Sequence, residues 1–422
     1  MWVRAKQLPL AAWILIGLAL GAIVGLALPA DGSNATVDAA VGIAALLGEL
    51  WLRALQMTIL PLVFAMLSTL FIRSHGLASG GRTTRRAMLV IAGLYVFCVF
   101  MGVVLSYGAL ALFPVTDDMA QAMRAMAGEG IVAESPPWAD AVLAVVPANI
   151  VAAMSGDSLL PVLFFALVFG AALARLDDSP GKTTLVNALT GLSDTVFVIV
   201  NWVLKLAPLG VALLILPTTQ RHGTDIFAGL AHYIAISTAQ PLVFLALLYP
   251  LTAMLTRVPM GTFARAMFPA QSVAFGTQSS TGTMPVTIRS CRDMGLSEEA
   301  ISVTMPLAAV LLRVITGTTA IFVSMYAVAV YDLPPLTLAM VIGLGFLGVL
   351  IEISMVGIPG SATFVAYYAP FAAIVGFPVE FVVVLLVVNV IPDIAMTVLN
   401  VTGHAVATAL VDRGVEQETA LA

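Results

Sequence analysis

Long runs of apolar residues, separated by short polar gaps, set the pattern of this chain. They fall at about 9–29, 41–73, 87–115, 138–176, 186–217, 226–256, 298–331 and 377–411. A helix crosses the roughly 30 Å hydrocarbon layer of a bilayer with about 20 apolar residues, and every run reaches that length. The pattern predicts an all-α membrane protein with eight transmembrane helices. Two further stretches are broken: 258–290 is rich in Ser, Thr and Gly, and 335–370 is interrupted by Gly357, Pro359 and Gly360. Backbone freed by Pro or Gly at membrane depth persists only where protein or a watery cavity satisfies it. Both stretches therefore predict hairpin-like elements rather than lipid-facing spans.

Charge placement adds an orientation. Arg4 and Lys6 precede the first run, Arg73, Arg82, Arg85 and Arg86 follow the second, Arg175 and Lys182 the fourth, Arg257 and Arg265 the sixth, and Arg413 the eighth. The alternate loops carry Asp31, then Asp117, Asp118, Glu129 and Glu134, then Asp332. Basic residues gather on the cytoplasmic side, which predicts an inner-membrane, multi-pass chain with both termini in the cytoplasm. The first run is long and others follow it, so it reads as an uncleaved helix rather than a signal peptide.

Composition narrows the class. Of 422 residues, 60% are hydrophobic and 10% charged, with a mean hydropathy of +1.05; soluble domains carry about 25% charged residues. The net charge of −5 is spread over the loops and predicts no nucleic-acid partner. Cys98 in an apolar run and Cys291, read as a loop residue, give neither a disulfide framework nor a metal spacing. No cofactor is expected.

Paired interruptions in a membrane chain point to a transporter's binding site, whereas a pore predicts repeated polar or charged rings, which the sequence lacks. The first broken segment reads Ala274-Phe-Gly-Thr-Gln-Ser-Ser-Thr-Gly-Thr-Met-Pro-Val-Thr-Ile-Arg289, the second carries Val356-Gly-Ile-Pro-Gly-Ser361, and the last run begins its polar positions at Asn389. Together these resemble the dicarboxylate/amino acid:cation symporter family, the glutamate transporters and their prokaryotic relatives. Leu47-Gly-Glu-Leu-Trp-Leu-Arg53, Pro147-Ala-Asn149 and Ala207-Pro-Leu-Gly210 extend the likeness over nearly the whole chain. The resemblance implies eight spans, two re-entrant helical hairpins, inverted repeats and a homotrimer working by an elevator motion. It also implies a division into scaffold (1–86 and 117–221) and transport domain (helix 3 at 87–116, and the core at 222–422).

Several positions depart from the family pattern. The seventh helix of the family carries Asn-Met-Asp-Gly-Thr, which supplies sodium ligands; here the stretch is Leu312-Arg-Val-Ile-Thr316. The family's two sodium-binding aspartates of the eighth helix fall on Asn389 and His404, and its arginine for acidic substrates falls on Met396. Glu352 stands near the second hairpin tip, where the family offers backbone carbonyls. Sodium prefers oxygen ligands, so sodium coupling is not expected. Arg313 needs a partner, because a charge at the bilayer centre costs about 2.5–3.5 kcal/mol on insertion scales. Asp393 and Glu352 are the carboxylates predicted to reach it.

The expected substrate pocket comprises Ser279, Ser280, Thr316, Gly357, Pro359, Asp393, Met396, Thr397 and Asn400. Arg313, Glu352, Asn389 and His404 stand in for the ion sites, and no metal is expected. On a helix Asp393, Thr397, Asn400 and His404 share one face, which should look onto the hairpin tips. The leading expectation is a secondary active symporter for a small amino acid or carboxylate, not coupled to sodium. A proton carried by Glu352 or by His404, which titrates near neutrality, would drive it. Met396 favours a neutral substrate; a dicarboxylate returns if Arg313 faces the pocket. Two alternatives remain open, a sodium-independent facilitator or exchanger of dicarboxylates and an anion channel. A hydrolase using Ser279 or Ser280 would need a base and an orienting group, and 277–282 holds no nucleophile elbow, so no enzyme is expected.

Overall fold

The structure is a computed structural model that describes residues 10–29, 34–75, 82–127, 146–155, 159–222, 225–354 and 360–419. Among these, all regular structure is helical. The N-terminal half supplies α1 (Leu10–Ala27), α2 (Ala35–Gln56), α3 (Ile59–His75), α4 (Arg82–Leu112), α5 (Asp117–Ala127), α6 (Ile150–Ser155), α7 (Leu159–Arg175), α8 (Pro180–Lys205) and α9 (Ala207–His222). The C-terminal half supplies α10 (Asp225–Leu255), α11 (Met260–Thr277), α12 (Ser280–Asp293), α13 (Glu298–Leu311), α14 (Thr316–Tyr331), α15 (Leu338–Ser354), α16 (Gly360–Val375), α17 (Val379–Val388) and α18 (Val390–Thr419).

Among the described residues six stretches are long and apolar enough to cross a membrane, at 35–69, 82–112, 180–205, 227–255, 298–331 and 390–413, and shorter apolar helices accompany them. Large apolar side chains such as Leu89, Val96, Phe100, Phe268 and Phe275 are exposed on the helix surfaces. Contiguous exposed apolar surface of that kind suits contact with lipid rather than water, and the chain is an integral membrane protein.

Local chemistry sets the helix ends. The Asn34 side chain caps α2, Ser179 with Pro180 at the first helical position starts α8, and Ser297 caps α13 with Glu298 and Glu299 in its first turn. Each oxygen cap satisfies N–H groups that the helix leaves without partners. Between α11 and α12 the chain reverses in two residues: Gln278 takes a left-handed conformation (φ 50, ψ 32), and Ser279 caps α12 by accepting from the Gly282 N–H at 3.0 Å. The first broken segment is thus a tight helical hairpin, and its arms pack on each other.

The core forms around α18, where every residue from Ala395 to Ala409 is buried. Helices α10, α11, α12 and α13 cover it while α4 crosses it. The second hairpin-like pair, α15 and α16, packs against α3; α16 also meets α7 and α8.

The structure corrects the sequence reading at three places. Residues 117–134, taken as an acidic loop, contain α5; Asp117 and Asp118 sit in its first turn, where they complement the positive end of the helix dipole, and its buried face of Ala120, Met123 and Ala127 packs inward. The run at 138–176 is not one helix: 146–149 is irregular, helix begins at Ile150, and 138–145 and 156–158 lie outside the described residues. Cys291 is not in a loop but inside α12 with no exposed surface. Arg289, Arg292 and Asp293 line the outer side of this helix, whose inner side carries Thr287, Ser290 and Cys291.

Candidate functional site

The structure interrupts the seventh apolar run, between α13 and α14, where the family pattern carries its sodium motif. Leu312 is extended (φ −103, ψ 103), and helix resumes at Thr316. Such a break strips N–H and C=O groups of their helical partners in a place without water, and each must find another. Side chains supply them. The Tyr95 hydroxyl of α4 donates to the Leu311 carbonyl and accepts from the Arg313 N–H at 3.3 Å. His404 Nε2 donates to the Leu312 carbonyl at 2.8 Å, Asn400 Oδ1 accepts from the Ile315 N–H at 3.4 Å, and the Tyr367 hydroxyl of α16 donates to the Thr316 carbonyl at 2.8 Å. Gly403 lets α18 approach this closely, since a Cβ there would lie 2.1 Å from Val314 Cγ2.

From this break Arg313 reaches the last turn of α15. Its Nη1 lies 2.8 Å from Glu352 Oε1, with the two side chains 30% and 11% exposed. Asp393, in the first turn of α18, is within electrostatic reach of the same guanidinium. One fixed cation therefore faces carboxylates from two other helices. Tyr368 of α16 lies near both carboxylates and completes this surround.

The α11–α12 hairpin tip comes to the same level of α18. Gln271 Nε2 donates to Thr402 Oγ1 at 2.9 Å, and Asp412 Oδ1 accepts from the Ser297 N–H at 2.9 Å. Cys291 lies against Thr408. Helices rise 1.5 Å per residue, so stepping back equally along both (291 − 280 = 408 − 397 = 11) puts Ser280 level with Thr397.

The expected residues are therefore placed as follows. Ser279 and Ser280 are half-buried at the tip, although the Ser279 hydroxyl already caps α12. Thr397 and Asn400 face inward on α18; the Thr397 hydroxyl donates to the Asp393 carbonyl at 2.8 Å. Met396 is buried in an apolar cluster with Leu311, Leu312 and Val314. Thr316 opens α14 and is buried. Asn389 marks the joint of α17 and α18, its Oδ1 buried without a partner among the described residues. Gly357 and Pro359 lie outside the described residues. The polar face of α18 is divided: Asn400 and His404 serve the helix break, while Asp393 and Thr397 border the space near the hairpin tip. Sequence reasoning missed Tyr95, Tyr367 and Tyr368, and their only signal was hydroxyls inside otherwise apolar helices.

These residues do not fit a sodium ion at the break. A hard cation needs several free oxygens, yet the carbonyls of Leu311, Leu312 and Thr316 accept from protein donors. The side chains of Leu312 and Val314 are buried hydrocarbon, and the cation present is a guanidinium. The α14 N-terminus, which carries partial positive charge, lies just beyond Arg313 along the chain.

The profile of the sodium:dicarboxylate symporter family matches residues 10–414. The C4-dicarboxylate transport protein of Anaeromyxobacter sp. (strain K) is 26% identical over 407 residues, covering 95% of this chain and 88% of its own. C4-dicarboxylate transport protein 3 of Ralstonia nicotianae is 26% identical over 406 residues, with the same coverage. The C4-dicarboxylate transport protein of Deinococcus radiodurans is 24% identical over 413 residues, again covering 95% of this chain and 88% of its own.

Proposed function

Since the chain belongs to the sodium:dicarboxylate symporter family, and so is a membrane transporter rather than an enzyme, we propose that it carries a C4-dicarboxylate across the inner membrane without sodium. The observation that carries the reading is Arg313. It brings a permanent positive charge to the helix break, paired with Glu352 at 2.8 Å, where relatives of the family pattern hold a metal cation. Binding a dianion in a low-dielectric site requires such a charge, and Met396 leaves α18 without the arginine that the family pattern uses for an acidic group. The relatives' names weigh for the dicarboxylate over the amino acid.

The substrate's carboxylates are held by Arg313 on one side and by the α12 N-terminus with Ser280 on the other. Thr397 and Asp393 line the space between. The working unit is a homotrimer with both termini in the cytoplasm, eight spans and two re-entrant hairpins per protomer. The transport domain of 87–116 and 222–422 moves past a scaffold of 1–86 and 117–221.

The test is counterflow. Purified protein in sealed liposomes preloaded with unlabelled succinate should accumulate external labelled succinate, saturably and with no voltage or sodium gradient. Non-saturating conductance without exchange would mark an anion channel instead, and aspartate outcompeting succinate would restore the amino-acid reading.

A further inference from the structure

A cavity of about 690 Å³ lies between α2, α5, α9 and α17, and no described residue of the helix break or of the α11–α12 hairpin lines it. It runs from Asp38, in the first turn of α2, to Gln56 at the end of that helix. Glu49 and Arg53 lie on this stretch, inside an apolar span, with side chains 52% and 71% exposed. Ionised groups within a span face the bundle interior or a water-filled cavity, and two charges this exposed mark the cavity as aqueous. Its lining carries both signs, with the carboxylates of Asp38, Glu49 and Glu380 against the guanidiniums of Arg53 and Arg221. Leu52, Leu214 and Glu380 also border a slot of about 20 Å³, whose other walls include Leu18 of α1 and Val383, Val384 and Val387 of α17.

We infer that this cavity is a second ligand site, which takes a small α-amino acid with a short branched side chain from the outer solution. Arg53 gives Nε and Nη2 to Glu49, which leaves Nη1 for a ligand carboxylate. Glu380 accepts at Oε1 from the neutral Gln56 amide at 2.9 Å and keeps Oε2 for a ligand ammonium. The Tyr331 hydroxyl, buried without a partner among the described residues, is within electrostatic reach of Glu380 and Arg124 and offers the ammonium a second acceptor. Arg53 stands one turn before Gln56, about 4.5 Å by helix rise, so one amino-acid head reaches both charged groups.

A simple anion would meet the carboxylates of this lining and a simple cation its guanidiniums, whereas a zwitterion uses both. The slot beside Glu380 has room for about one or two methyl-sized groups, which suits an isopropyl group and excludes an indole. On the proposed division the bound zwitterion ties α2 of the scaffold to α17 of the transport domain. It therefore slows transport without entering the substrate pocket. The binding itself does not rest on the proposed function.

Titration calorimetry of L-valine into the full-length protein in detergent tests the site. Valine should bind wild type equally well with and without saturating succinate. Glycine, isobutylamine and isobutyrate, which lack the side chain, the carboxylate and the ammonium in turn, should each bind at least about tenfold more weakly. Arg53→Gln and Glu380→Gln should weaken valine by a similar factor and leave succinate affinity unchanged. The ligand series on wild type decides the matter even if a variant fails to fold. Wild type that binds no valine overturns the inference. So does valine that succinate displaces and neither substitution affects, since it then sits in the substrate pocket, and so does isobutylamine or isobutyrate binding as tightly as valine. Valine binding with these selectivities in a protein that binds no succinate would keep this site and remove the proposed function.

Discussion

Arg313 and Glu352 form an ion pair at 2.8 Å with their side chains 30% and 11% exposed. Removing one partner of a buried pair leaves an uncompensated charge and costs about 3–5 kcal/mol, whereas replacing both by hydrocarbon is often neutral or stabilising. Arg313→Met should therefore lower the thermal midpoint of the detergent-purified protein markedly. Arg313→Met combined with Glu352→Met should recover most of that loss, yet bind no dicarboxylate. Recovery of binding with stability in the double variant would mean that the guanidinium serves structure alone. His404 is the opposite kind of residue. It donates to a backbone carbonyl at 2.8 Å, deep in the core, and its worth is that of a buried hydrogen bond whose loss leaves the acceptor unsatisfied, about 1–3 kcal/mol.

Among the elements, the break between α13 and α14 holds the site together, and α18 fits against it. The contact of Gly403 with Val314 allows no added atom: a Cβ would sit 2.1 Å from Val314 Cγ2. Gly403→Ala should destabilise the protein by about 1–3 kcal/mol through overpacking, and Val314→Ala should relieve part of it, as thermal unfolding of the two variants would read. Full stability in Gly403→Ala alone would contradict the packing.

The helical content, the apolar runs and the α11–α12 hairpin were legible in the sequence. Apolar periodicity, Gly and Pro placement and the Ser-rich tip are local signals, and local signals survive without coordinates. The ion pair was legible as a need, since a membrane-depth arginine demands a carboxylate. The choice of Glu352 as the direct partner depended on where α15 ends relative to the break. The tyrosines that saturate the break carbonyls were not legible. Tyr95 stands 216 residues from Leu311, and nothing local distinguishes it from a lipid-facing Tyr. Helix α5 was missed because its charged first turn and small buried residues read as loop.

At the scale of the whole molecule, α17 meets α2 as well as α18. Gln56 Nε2 of α2 donates to Glu380 Oε1 of α17 at 2.9 Å, beside a cavity of about 690 Å³ lined also by Asp38, Glu49, Arg53 and Arg221. On the proposed division this contact joins scaffold to transport domain, so it must break if the two slide. Cysteines at 56 and 380, bridged by a short thiol-specific reagent, should stop transport reversibly. The native Cys98 and Cys291 are fully buried and should not react. Undiminished transport after complete bridging would rule out relative motion at this contact.

The central claim is that a guanidinium has replaced the coupling metal. Its most direct measure is initial succinate uptake into proteoliposomes under an inward sodium gradient, compared with an inward proton gradient in choline medium. The account predicts accumulation driven by the proton gradient and no response to sodium. Accumulation that follows the sodium gradient, with the proton gradient absent, would contradict it.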